Sequence, residues 1–256
     1  MKTINIIALI VALIGLAFSF SHADAPEFEV KRVLNGKSLQ LVDGRIVRLA
    51  SLQVPNITEQ TGLKRAGQPM GVQSHQALID LVQGKKLRLE FGAQKEDRKG
   101  RLIALAYLPD GRNLQAEMIS AGWGMVYPFP DLVEPLPAWL RLEDAARKAG
   151  KGIWQNDYWQ PRAALRLPEE NPEERFMLVE GIAKKVAKVK GGWFINFDQD
   201  WKSDFTAVIS KEDAKEHFQG KDLSWLEGKR LRMRGWIYRY NGPAMDIHQP
   251  QQIEPL

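Results

Sequence analysis

Over residues 229–240 every second side chain is basic or aromatic: Arg230, Arg232, Arg234, Trp236, Tyr238 and Tyr240. In a strand, alternate side chains share a face, so these six would point the same way. Cations beside flat rings suit single-stranded nucleic acid, the guanidinium groups meeting phosphates and the rings meeting bases. Trp193, Phe194 and Phe197 on an earlier strand would widen such a platform. The plainer alternative makes the aromatics core and the arginines the solvated ends of the strand. Leu231, Met233 and Ile237 compete for the core face, which favours the stripe lying outside, while a bend at Gly235 would reverse the alternation.

Other reactive chemistry is sparse. The chain has no cysteine, so it has no disulfide, thiolate nucleophile or cysteine metal site. Its four histidines, His22, His75, His217 and His248, lack ligand-like spacing. The first half carries Asp43, Glu59, Glu96, Asp97 and Asp110. Asp43 and Asp110 stand in Asp-Gly turns, where the carboxylate bonds local backbone. Asp97 alone is too little, because general-base work plus metal ligation needs two or three converging acids. The net charge of +5 leans toward anionic partners without specifying one.

The elements that would carry these groups are short. Residues 33–34, 39–41 and 46–49 read as strands, with turns at Asn35-Gly36 and Asp43-Gly44, pairs that tolerate positive φ. Residues 51–67 read as a polar loop. A helix begins near Pro69 and ends at Gly84, and strands follow over 85–91 and 102–108. Helices are expected over 114–121 and 137–149, closed by Gly122 and Gly150. The proline- and glutamate-rich stretch 156–175 reads as a linker. Beyond it, strands are expected over 177–189, 193–197, 205–209, 229–240 and 244–248, with a helix over 211–218 between the third and fourth. That is the order of an OB barrel. Residues 1–23 read as a secretory signal: Lys2, an apolar run from Ile6 to Phe18, and Ser21-His22-Ala23 before the cut. Export to a periplasm or the medium is expected, with an uncleaved N-terminal anchor as the rival and no membrane span once the signal is removed.

The first half resembles the staphylococcal-nuclease family. The residues that carry the resemblance are Asn35-Gly36-Lys37-Ser38, Arg48 in V-R-L, and Gln53-Val54-Pro55-Asn56. They continue through Asp97-Arg98-Lys99-Gly100-Arg101-Leu102, Ala121-Gly122-Trp123 and the stretch from Glu143 to Trp154. The resemblance covers residues 28–155. It implies a mixed β and helical (α+β) fold, an OB-type five-stranded barrel with three helices. The closing G-K-x-L-R-x-R-G-W-I, N-G-P and Q-I-E motifs resemble small bacterial OB-fold domains and imply a second, smaller OB-like barrel over 176–256.

The family's motif has two aspartates that hold a divalent cation and a glutamate that positions the attacking water. Lys37, Gln53 and Asn56 stand at those positions here. The family's two phosphate-gripping arginines are matched by Arg48 and Arg101. The resemblance thus implies a pocket that keeps its phosphate donors and has lost its acids, with Lys99 and Arg98 close by in sequence. Drift of the two arginines into structural ion pairs is the alternative. The expected function is binding of nucleic acid or a phosphate-bearing ligand without cleavage and without a cofactor. The candidate ligand-binding residues are Lys37, Arg48, Arg101, Arg232, Arg234 and Trp236. One alternative is an active endonuclease, for which Ca²⁺ would be needed. Another is an envelope module that binds a protein.

Overall fold

Five short strands close on themselves in the first half, and the reason is legible residue by residue. The computed structural model describes residues 26–57, 67–170, 172, 175–200 and 202–256. The expected leader and Glu59 lie outside the described residues. The strands are β1 (Glu27–Asn35), β2 (Ser38–Leu41), β3 (Ile46–Leu49) and β4 (Leu52–Gln53), followed by helix α1 (Gly71–Val82). Then come β5 (Lys86–Glu90), β6 (Leu102–Tyr107), α2 (Leu114–Ser120), β7 (Met125–Val126) and α3 (Leu136–Lys148). The order β1-β2-β3-β6-β5 forms a closed barrel. Only β3 and β6 pair in parallel, because α1 and β5 intervene between them. Leu87 and Leu89 face inward while Lys86, Arg88 and Glu90 do not, as their alternation requires. Leu39, Val47, Ala104, Leu78 and Met118, all buried, fill the space between barrel and helices.

The Asp43-Gly44 turn forms as expected: Gly44 has φ +89, and Asp43 Oδ1 accepts the Arg45 N–H. A turn also forms at Asn35-Gly36, where Gly36 and Lys37 link the paired Asn35 and Ser38 and Asn35 Oδ1 accepts the Lys37 N–H, but neither Asn35 nor Gly36 has a positive φ. Gly36 is there for space, because a Cβ would fall 2.7 Å from Ser74 Oγ on α1. Residues 51–57, expected as loop, include β4, which pairs with β7. Gly122 and Gly152 explain two motifs at once. Gly122 has φ +78, and a Cβ there would lie 2.4 Å from Lys151 O; one on Gly152 would lie 2.3 Å from Gly122 O. The two backbones touch through Ile153 N–H to Gly122 O, 2.8 Å.

The second half consists of β8 (Arg162–Ala163), α4 (Leu167–Glu170), β9 (Phe176–Ile182), β10 (Lys185–Val189), β11 (Gly192–Asn196) and β12 (Thr206–Ser210). Helix α5 (Lys211–Glu216), β13 (Arg230–Tyr240), β14 (Gly242–Asp246) and β15 (Ile253–Pro255) complete it. They make one eight-stranded sheet in the order β10-β11-β12-β14-β13-β9-β8, with β15 beside β13. β9 and β10 are one run broken at Ala183-Lys184. The Ala183 N–H bonds Lys229 O, and the Lys184 N–H bonds Asn196 O, so the run spans both ends of the sheet. With β12 and β14 parallel and α5 before β13, the strand order repeats that of the first barrel. The expected strand over 177–189 is thus two, and β15 was not expected.

The stretch read as a linker is built into the molecule. β8 pairs in parallel with β9, and Trp159, Ala164 and Leu167 are buried. Met125, Ala146, Ile153 and Trp154 from the first half share a core with Trp159, Phe176 and Leu178. Among the described residues, no helix is long and apolar enough to cross a membrane.

Candidate functional site

Three neighbouring strands bring the basic residues together. Lys37 immediately precedes β2, and its carbonyl accepts the Leu49 N–H of β3. Ser38 on β2 is registered with Arg48 on β3, and Arg48 with Ile103 on β6. Arg101 enters β6 two residues before that. Lys37, Arg48 and Arg101 therefore converge at one end of the barrel because of strand register alone. They line a cavity of about 280 Å³ with Asn35, Ser38, Asn56, Lys99 and Trp236. Arg98 is exposed and is not part of this lining.

Each cation has a distinct environment. Lys37 Nζ donates to Gln53 Oε1 at 2.8 Å. Gln53 is buried, and its Nε2 donates to Val54 O at 3.1 Å. β4 holds it there by pairing Gln53 with Met125. Arg101 forks onto Asp97, with Nε to Oδ2 at 2.7 Å. Asp97 Oδ1 also accepts the N–H groups of Lys99 and Arg101, in a turn where Gly100 has φ +68. Burial alone would push the Asp97 carboxyl up; its hydrogen bonds from Arg101 and Lys99 outweigh that and hold it below the usual value. Arg48 forms no hydrogen bond or ion pair through its side chain among the described residues. Burial, and then the charge of Arg101, lower its pKa from the ordinary arginine value. It stays protonated at neutral pH, so the cavity holds a cation whose charge an anion would stabilise. Ser38, nearly fully buried, has an Oγ with no hydrogen-bond partner among the described residues. That orphan was missed in the sequence, although Ser38 ends the Asn-Gly-Lys-Ser motif.

The donor set does not fit a divalent metal. Hard cations take carboxylate, carbonyl and water oxygens. Here the oxygen of Gln53 already accepts from an ammonium whose charge would repel the ion, and Asn56 is neutral. Among the described residues, no three His, Asp or Glu side chains gather as a metal site.

The stripe on β13 divides. Leu231, Met233 and Ile237 do face the core of the second half. Arg232 and Arg234 face away from it but are not open to solvent. They are covered by the first half. Arg234 is fully buried, with Nη1 and Nη2 each 2.9 Å from a Glu143 carboxylate oxygen and Nη1 3.0 Å from Val126 O. Glu254 bonds it as well. Arg232 pairs with Glu180 at 2.8 Å and lies 3.6 Å from Asp144. Arg234 joins the halves because α3 supplies Glu143 to its buried guanidinium, while Arg232 is held mainly by Glu180 of its own half with Asp144 of α3 farther off. Trp236 alone of the three candidates on this strand reaches the cavity. Trp193 and Phe197 are core residues, and Phe194 lines a separate surface hollow with Tyr240. The sequence carried no sign that Glu143 pairs with Arg234, since the partners lie 91 residues apart.

The barrel thus closes with α1 between β3 and β5 and with Lys37, Arg48 and Arg101 gathered at one end. Residues 46–156 match the family model of staphylococcal nuclease homologues. The match includes Arg48, Gln53, Asn56 and Arg101; Lys37 lies just before it. Two curated relatives, from Escherichia coli O157:H7 and Escherichia coli, are each named "Uncharacterized endonuclease". Each is 29% identical over 130 residues, covering 50% of this chain and 76% of the relative.

Proposed function

We propose that this protein is an exported binder of nucleic acid or another phosphate-bearing ligand, and that its nuclease-type cavity grips phosphate without hydrolysing it. The observation that carries the reading is the Lys37 Nζ to Gln53 Oε1 hydrogen bond, 2.8 Å, formed where the family's motif has two acids. Metal-assisted cleavage needs a cation to polarise the phosphoryl group and to lower the pKa of its bound water. An ammonium supplies charge and hydrogen bonds but generates no hydroxide. Asp97, the carboxylate beside the cavity, is engaged by Arg101 and two backbone N–H groups, so it is a poor general base. Lys37 and Arg48 are then donors to phosphate oxygens, and Arg101 adds the edge of its fork not turned to Asp97. Binding is cofactor-independent on this reading.

The test pairs binding with digestion. A labelled single-stranded oligonucleotide in EDTA should bind the purified chain, with affinity falling as salt rises. The Lys37→Ala, Arg48→Ala double variant should lose most of that affinity; unchanged binding would remove the proposal. The relatives' name favours a second reading, an endonuclease with Arg48 and Arg101 stabilising the charged transition state. DNA or RNA turnover that needs Ca²⁺ or Mg²⁺ and stops with chelator would establish that reading and overturn ours.

A further inference from the structure

We infer that the second half completes the cavity as a base-recognition wall, so that the ligand is a nucleotide with an unpaired base rather than bare phosphate. This rests on the phosphate-binding reading above. Trp236 belongs to β13 of the second half, yet it lines the cavity with Lys37, Arg48 and Arg101 of the first. Its position follows from the join between the halves. Arg234 on the same strand face is locked to Glu143 of α3, with Arg232 lying 3.6 Å from Asp144 of the same helix, and one step further along that face is Trp236.

The indole is held in place yet left open. Trp236 is registered with Phe176 across β9 and β13. The Phe176 ring meets it in a T-shaped contact, centroids 6.2 Å apart, and Tyr127 meets Phe176 likewise at 5.6 Å. Phe176 is buried, whereas Trp236 keeps 40% of its surface exposed. A large aromatic that is braced on one side and open to a cation-lined hollow on the other is a stacking platform. Ser38 and Asn56 add polar residues to the lining of the same hollow. Bases within a duplex are already stacked on their neighbours, so only an unpaired base can offer its face to this indole.

The experiment compares two probes on the full chain: a short fluorescent oligothymidylate, and an oligomer of equal length and charge made of abasic residues. Wild type should prefer the base-bearing probe. Trp236→Ala should reduce the ratio of the two affinities by about five- to a hundred-fold, the range expected for one base–aromatic stack, and Trp236→Phe should restore most of it. Arg48→Ala should weaken both probes together and leave the ratio standing. A Trp236→Ala protein that folds and binds both probes with the wild-type ratio overturns the inference while leaving the phosphate reading intact. Failure of wild type to bind either probe removes both.

Discussion

Removing the Glu143 carboxylate should uncouple the two halves of the molecule. Arg234 is fully buried and Glu143 nearly so, and the two make a bidentate pair with both contacts at 2.9 Å. Glu143 Oε2 also accepts the Val126 N–H at 2.6 Å, which ties β7 into the same network. Arg234 cannot escape by losing its proton. Burial opposes its charge, but Glu143 and Glu254 more than compensate and raise its pKa above the ordinary value. In Glu143→Gln, the amide nitrogen must therefore face a guanidinium N–H in either orientation, and in one of them the Val126 N–H as well, donor against donor. Glu254 still bonds Arg234, so the loss should lie toward the lower end of the about 3–5 kcal/mol that breaking a buried ion pair costs. For a chain of this length that range is roughly 6–20 °C in Tm. Urea and thermal unfolding followed by tryptophan fluorescence would read it, since Trp154 and Trp159 lie in the core that the halves share. The double variant Glu143→Leu, Arg234→Met should recover part of the loss, because an apolar replacement removes the desolvation cost of both charges together while leaving the Val126 N–H and carbonyl without these side-chain partners. A single variant that loses less than about 1 kcal/mol would refute the reasoning, for it would mean that the pair is solvated and the halves are not docked.

Asp97→Asn should tighten pyrophosphate binding by at most about fivefold, the roughly 1 kcal/mol that unit charges exchange near 4 Å in water, since Asp97 lies behind Arg101 and does not line the cavity. The Asn oxygen can still accept the Lys99 and Arg101 N–H groups while the Arg101 fork is released; weaker binding by calorimetry would assign Asp97 a positioning role instead. The folded-state pKa of Asp97 is depressed, so its contribution to stability is present above the unfolded carboxylate pKa and lost as pH falls through the folded one. Wild type and Asp97→Asn should thus differ in urea midpoint at neutral pH and converge in acid below about pH 4. Gly122→Ala should cost at least about 2 kcal/mol, from its φ of +78 together with the 2.4 Å approach to Lys151 O, and an unchanged midpoint would contradict that packing.

Much of the fold was legible because the signals were local. The Leu87/Leu89 alternation, the helix-ending Gly84, Gly122 and Gly150, and the Asp43-Gly44 turn each depend on a few neighbouring residues, and each appears where expected. What escaped was set by distant partners. β4 exists only because β7 comes to meet it, and two residues of strand carry no periodicity. The linker reading rested on Pro161, Pro168 and Pro172 and on paired glutamates. Composition of that kind does not reveal that Trp159 and Leu167 bury themselves against elements built elsewhere. Gly36 shows the same limit: its dipeptide announces a turn, while the constraint is a serine on a helix 38 residues away.

The β13 stripe shows why the site was only half legible. Alternation correctly separated Leu231, Met233 and Ile237 from Arg232, Arg234 and Trp236, but it says nothing of what covers the outer face. A buried arginine needs carboxylates, and those lie on α3 and β15, outside any window centred on the stripe. The cavity shows the converse. Register places Lys37, Arg48 and Arg101 together, yet the Lys37–Gln53 bond depends on the turn after β3 and on β4. The two observations meet in one dependence: the arginine that docks the second half also determines where Trp236 stands relative to the cations. Loosening Arg234 should therefore erode base preference at the cavity even though Arg234 touches no ligand.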